Sequence, residues 1–174
     1  RNSNSHIEIS GLDIIENINK ENKKVIFISG HFANFELMSM ELTKRNVSLA
    51  TIYRPLNNFF LNPFMEYLRR KYICKNQIKK GKSGTRDLLN FFKKKYSVAL
   101  MIDQRVTEGI SVKLFGNLAK TTTIPAQLVK KFGCKIVPVY IERINRYNFQ
   151  MTFEKPIHFD DTSSIEKITF ELNK

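Results

Sequence analysis

The sequence predicts one α/β domain built on a mixed, mostly parallel central sheet flanked by helices. Three observations predict it. Apolar runs of strand length alternate with segments whose apolar residues recur at helical spacing. Polar residues able to do chemistry stand just past the ends of three of those runs. No internal repeat or low-complexity linker divides the chain, and its 174 residues, 42% hydrophobic, suffice for a single core.

Residues 25–29 (VIFIS) form a continuous apolar run that ends at Gly30, a residue suited to a sharp exit. Phe35, Leu37, Met38 and Leu42 then recur at helical spacing through residues 33–46. SLATIY, 48–53, is a second strand stopped by Arg54 and Pro55, because proline lacks the N–H that a central strand needs. Residues 57–72 read as a helix with Pro63 near its first turn, and 84–96 as another. SVALMID, 97–103, is a third buried strand ending at Asp103, followed by a loop that carries VTEG and KLFG. The helix at 121–133 has a threonine cap signal, Pro125 in its first turn and Gly133 as its stop. Residues 135–143 and 147–157 read as antiparallel strands turning around Asn145, and 163–174 as an amphipathic helix. Because the chain opens on Arg1 and closes inside that helix, both ends are expected to be truncated.

Composition narrows the function classes. No window approaches the run of about 18 apolar residues that a spanning helix needs, and the polar opening RNSNSHIEIS is not a secretory signal, so the chain is expected to be soluble or peripheral. Cys74 and Cys134 lie far apart and match no metal-ligand spacing; they are expected to be free, buried thiols of a reducing compartment. Twenty-nine Lys+Arg against 16 Asp+Glu give a net charge of +13, which suits nucleic acid, anionic lipid headgroups or an acidic carrier protein alike. An RNA-binding module would interleave aromatics with the basic residues on an exposed sheet face, and no RNP-type stretch is present, so nucleic acid is not the expected partner.

His31 carries the sharpest functional signal. It follows a buried strand at the entry to a helix, and Glu36, five residues on, falls in the first helical turns, from which it is expected to reach back to one ring nitrogen. Such a bond fixes the tautomer and leaves the other nitrogen to take a proton from an attacking hydroxyl, while the carboxylate stabilises the imidazolium. The spacing alone equally fits a capping histidine beside an unrelated surface glutamate. Zinc pairs on a helix prefer i, i+4 and no third ligand is evident, and Ser29 lacks the GxSxG elbow, so neither a metal nor a nucleophilic serine is expected. His31, Arg54 and Asp103 all stand past strand ends and are expected to share one edge of the sheet, where open α/β folds bind ligands. Arg54 is either a fork for phosphate or carboxylate oxygens or a solvated turn residue. Asp103 is expected to bring charge near His31, with Gln104 as an alternative polar contact. The threonines at 121–123 read as caps, His6 and His158 as surface residues, and the aromatic segment FFLNPFMEYL (59–68) as core packing ahead of a lipid-facing surface or acyl channel.

GHFANFE, then TIYRPLNN with NPFMEYLRR behind it, then ALMIDQR, KLFG and AKTTTIPAQLVKKFGCKIVPVYIER, occur in the order and at the approximate intervals of one family. From about residue 6 to residue 161 the chain resembles the lipid A biosynthesis acyltransferases of the lauroyl and myristoyl transferase type. The resemblance implies a glycerolipid-acyltransferase-like fold and an acyltransferase domain over residues 1–174. It also implies a catalytic His31–Glu36 pair, with Arg54 and Asp103 in the site and Arg69 or Arg70 as a further arginine. The implied reaction moves a fatty acyl chain from acyl carrier protein or coenzyme A to a hydroxyl of a phosphorylated lipid A precursor, with no metal or other cofactor. The implied setting is the cytoplasmic face of a bacterial inner membrane, held there by its anionic surface. A glycerolipid acyltransferase of the lysophosphatidate type is the nearest enzymatic alternative. Family members commonly carry tryptophan where this chain has Phe35, and the family's amino-terminal membrane helix and carboxyl-terminal aromatic and basic segment are missing from this sequence.

Overall fold

The apolar run that begins at Val25 becomes the middle of a seven-stranded sheet. A computed structural model describes residues 6–114 and 116–174, so residues 1–5 of the polar opening and Phe115 of KLFG lie outside the described residues. The chain runs β1 (Ile7–Ser10), α1 (Leu12–Glu21), β2 (Ile26–Ser29), α2 (Glu36–Lys44), β3 (Leu49–Tyr53), α3 (Leu61–Tyr72) and β4 (Asn76–Lys79). It continues through α4 (Lys82–Lys93), β5 (Ser97–Met101), β6 (Ile110–Leu114), β7 (Asn117–Thr121), α5 (Ile124–Phe132), β8 (Ile136–Arg143), β9 (Phe149–Phe153) and α6 (Ile165–Glu171).

The sheet order is β1-β9-β8-β2-β5-β3-β4. β8, β2, β5, β3 and β4 are parallel to one another, β9 is antiparallel to β8, and β1 runs parallel to β9. The central strands are apolar on both sides because both faces of the sheet are covered. Phe27, Ala99, Val137 and Val139 pack with Ile15 and Ile18 of α1 and Met38 and Leu42 of α2. Ile26, Ile28, Val98, Leu100 and Ile136, one residue out of phase, pack with Leu88 and Phe92 of α4, Leu128 and Val129 of α5, and Ile168 of α6.

The strand order creates the crevice that matters. After β2 the chain passes through α2 over β5 to reach β3; after β5 it passes through α5 over β2 to reach β8. The two helices take opposite faces, as right-handed crossovers running in opposite directions require. The chain therefore leaves two neighbouring strands in opposite directions and opens a gap beyond their carboxyl ends.

The central strands, the helices and the β8–β9 hairpin match the sequence reading, as do Pro125 in the first turn of α5 and Gly133 in the left-handed conformation (φ 59°) at its end. The threonine cap takes a different form from the one expected. Thr122 Oγ1 accepts from Ile124 N at 3.3 Å, while Thr123 Oγ1 accepts from the Gln127 side chain at 2.8 Å. The loop expected after Asp103 contains the β6–β7 hairpin, and β1, α1 and β4 were not anticipated. β4 reads NQIK with Ile78 its only buried residue, so it carries almost no apolar signature.

The reading of residues 59–68 as core is overturned. Phe59 and Phe60 are 84% and 87% exposed, Phe64 and Tyr67 are exposed too, and α3 has no fully buried residue. The helix touches the sheet along a narrow stripe at its outer strand, leaving most of its aromatic side chains outside.

Candidate active site

Gly30 ends β2 and lets the next residue turn over the sheet edge. A Cβ there would stand 2.6 Å from the Phe32 ring and 3.2 Å from Asp103 Oδ2, so the absence of a side chain is what allows the carboxylate to approach the backbone. The turn continues through Ala33 at φ 43°, a left-handed conformation costing an alanine about 1 kcal/mol, held between the strand and α2.

Sheet register brings the first two functional groups together. Ser29 is paired with Met101, so His31 and Asp103, each two residues further, emerge side by side from adjacent strands. Asp103 Oδ1 lies 2.7 Å from His31 Nδ1, and Asp103 Oδ2 accepts the backbone N–H of His31 at 2.8 Å. One carboxylate thus fixes both the backbone and the ring. With its proton on Nδ1 facing Asp103, the imidazole presents Nε2 with a free lone pair. The Phe35 ring packs edge-on against the imidazole, centroids 4.7 Å apart. About two-fifths of the His31 side chain and a third of that of Asp103 remain open to solvent.

The expected His31–Glu36 contact is replaced by a different pairing. Glu36 is the first residue of α2, and its Oε1 accepts from Arg69 Nε at 2.8 Å. Asp103 already occupies the ring nitrogen through the sheet register, whereas Arg69 on α3, with only 18% of its side chain exposed, requires a counter-charge that Glu36 is placed to supply. This also separates the two arginines: Arg69 lines the cleft, and Arg70, one residue on, is exposed on α3. Arg69 Nη1 is buried and has no hydrogen-bond partner among the described residues.

These groups line a cleft of about 280 Å³ over the carboxyl ends of β2, β5 and β3. Its polar lining comes from His31, Glu36, Arg54 and Arg69 together with Ser39, Thr51, Gln77 and Lys80, and its apolar lining includes Phe35, Ile52, Leu100, Met101, Val106 and Ile124. Arg54 follows β3 at the rim, so all three landmarks read from the sequence share one edge. Gln104 also lines the cleft but accepts from Lys80 Nζ at 2.8 Å rather than touching His31. Tyr53, beneath Arg69, is held neutral: burial first, and the Glu66 carboxylate second, push its phenol up to about 12. Thr122 reaches the cleft wall while serving as a cap.

Sequence reasoning found His31, Glu36, Arg54 and Asp103, left Arg69 and Arg70 undivided and did not single out Tyr53 or Lys80; it placed Asp103 near His31 but assigned the imidazole to Glu36, and so missed the His31–Asp103 bond and the Glu36–Arg69 pair. The first was recoverable only with the strand order: the two residues sit at equal distance past the ends of strands that adjoin because β5 inserts between β2 and β3. Among the described residues, no group of three or more His, Cys, Asp or Glu side chains is arranged to hold a metal ion. Cys74 and Cys134 are free and buried, as expected.

The molecule is thus a doubly covered α/β sheet with a carboxylate-held histidine at its topological switch point, opening on a cleft lined by both polar and apolar side chains. Residues 1–174 match the bacterial lipid A biosynthesis acyltransferase family, and the chain belongs to it. It is thereby an acyltransferase of lipid A biosynthesis. No individual curated protein matches it significantly. No helix among the described residues is long and apolar enough to cross a membrane.

Proposed function

We propose that the protein transfers a fatty acyl chain from a thioester, carried by acyl carrier protein or coenzyme A, to a hydroxyl of a phosphorylated lipid A precursor. His31 is the general base. Its Nε2 takes the hydroxyl proton as the acceptor oxygen attacks the thioester carbonyl, and the adjacent Asp103 carboxylate stabilises the imidazolium. The tetrahedral intermediate carries its negative charge beside the guanidinium of Arg69, which lines the cleft, and beside Arg54 at the rim. Collapse breaks the carbon–sulfur bond. The imidazolium returns its proton to the leaving thiolate, giving an ester and a free thiol with no change in oxidation state. Glu36 holds the Arg69 guanidinium toward the cleft instead of touching the imidazole.

The observation that carries this reading is the placement of a carboxylate-held histidine and an ion-paired arginine in one cleft that is also lined by Phe35, Ile52, Leu100, Met101, Val106 and Ile124. The apolar side chains of the lining suit an acyl chain, and the arginines suit phosphate oxygens of the acceptor. The +13 charge favours both an acidic carrier protein and an anionic membrane surface, which fits work at the cytoplasmic face of an inner membrane.

Purified protein supplied with labelled acyl-carrier protein and a phosphorylated disaccharide lipid acceptor should form the acylated product, and His31→Ala should reduce that rate by at least about a thousandfold. A glycerol phosphate acceptor run in parallel separates the glycerolipid alternative. Product formed by His31→Ala at the unmodified rate would overturn the mechanism.

A further inference from the structure

We propose that the carboxyl-terminal edge of the sheet is a membrane-docking face, on which exposed aromatic side chains enter the headgroup region of an anionic bilayer and present the cleft mouth to it. The inference rests on the acyltransferase reading and adds the surface by which the enzyme reaches its acceptor.

Two outcrops flank the cleft on this one edge. α3 follows β3 and runs back against the strand direction to β4, so its first turn lies where β3 ends, beside Arg54. Asn58 fixes that start, its Oδ1 accepting from Phe60 N and Leu61 N at 3.0 Å each, and Phe59, Phe60, Leu61 and Phe64 are left more than half exposed. On the other side, β8 stays in register with β2 at Pro138 and Ile28 and then runs on to Arg143, overshooting the end of β2 by four residues, or about 13 Å. The tip of its hairpin with β9 carries exposed Ile144 and Tyr147.

Charge selects the occupant. Arg54 and Lys80 stand beside the first outcrop at the ends of β3 and β4, and Arg143 and Arg146 belong to the second, with Arg146 stacked 5.3 Å from the Tyr147 ring. Apolar tips surrounded by guanidinium and ammonium groups match an anionic headgroup layer over acyl chains. An acidic soluble protein would engage the charges but would leave solvent-facing phenylalanines without a role. The acceptor is itself anchored by acyl chains, so a cleft opening on the docked face meets its hydroxyl at headgroup depth.

The chain contains no tryptophan, so one introduced indole reports its own surroundings. Phe60→Trp and, as a control at the far end of α3 about 18 Å away, Tyr72→Trp are each titrated with phosphatidylglycerol/phosphatidylethanolamine vesicles containing brominated lipid, with no donor or acceptor present. The 60-position indole should shift to the blue and be quenched, and the 72-position indole should do neither. Phe59→Ser, Phe60→Ser and Phe64→Ser together should weaken vesicle binding at least tenfold while leaving acyl transfer to a detergent-dispersed acceptor intact. An unquenched 60-position indole, unchanged vesicle binding by the triple variant, or a 60-position signal that answers to acyl carrier protein and not to vesicles each overturns the proposal. Vesicle binding is read without turnover, so its failure leaves the acyltransferase reading standing, and absent acyl transfer leaves the docking result legible.

Discussion

Asp103→Asn removes one charge from the site and almost no volume, and the structure determines what the amide must do. The backbone N–H of His31 donates to Asp103 Oδ2 at 2.8 Å, so an asparagine would turn its carbonyl oxygen there to keep that bond. Its NH2 group would then face Nδ1, which lies 2.7 Å from the present Oδ1. A donor at Nδ1 forces the ring proton onto Nε2, the nitrogen that has to receive the acceptor proton. The electrostatic loss can be sized separately. An imidazolium and a carboxylate with charge centres about 4 Å apart interact by about 4 kcal/mol at an effective dielectric of 20. With 41% and 32% of the two side chains exposed, solvent screening lowers this to about 2 kcal/mol. That figure alone is roughly thirtyfold in rate, and the wrong tautomer raises the expected fall in kcat to about a hundredfold or more. Acyl transfer from labelled carrier protein under saturating acceptor measures it, with KM expected to stay within about threefold, since the substitution acts on the proton and not on binding. A kcat within threefold of the unmodified enzyme would refute the assignment of Asp103 as the group that holds His31.

The Glu36–Arg69 pair predicts a different signature. Glu36→Gln leaves a largely buried guanidinium without its counter-charge, at a cost of about 1–2 kcal/mol, so the melting temperature should fall by about 2–8 °C in a thermal scan. Arg69→Lys should keep the fold but lower kcat, because an ammonium cannot donate to Glu36 and to a cleft oxygen in the same forked geometry; unchanged turnover would remove Arg69 from the site. Burial pushes the Cys134 thiol up to about 12 and raises Cys74 as well. The raised values favour the neutral thiol, so the folded chain should resist iodoacetamide at pH 9, with Cys134 reacting roughly a thousandfold more slowly than an exposed cysteine. Both thiols should label at once in denaturant, and rapid labelling of the native chain, read by intact mass, would contradict the packing.

Residues 25–29 and 97–103 were legible because a strand covered on both faces is apolar along its interior, here 25–28 and 98–102, a signal needing no partner to be recognised. The site residues were legible for a related reason: a polar side chain directly after such a run can only emerge at a sheet edge. What the sequence withheld was lateral order. Nothing in HxxxxE says that β5 lies beside β2, and without that neighbour Glu36 was the nearest carboxylate by default. The aromatic segment at 59–68 was misread because apolar composition reports a need for cover and not what supplies it. β1 and β4 escaped notice as short outer strands whose polar residues are tolerated at the margin.

The insertion of β5 between β2 and β3 also governs when the enzyme can exist. During synthesis, the segments that become β2 and β3 emerge well before the one that must separate them, and their backbone edges wait unpaired. His31 meets its carboxylate across 72 residues of chain. A nascent polypeptide stopped short of β5 therefore carries the histidine without the carboxylate that holds it, and the pair forms only once β5 has entered between its two older neighbours.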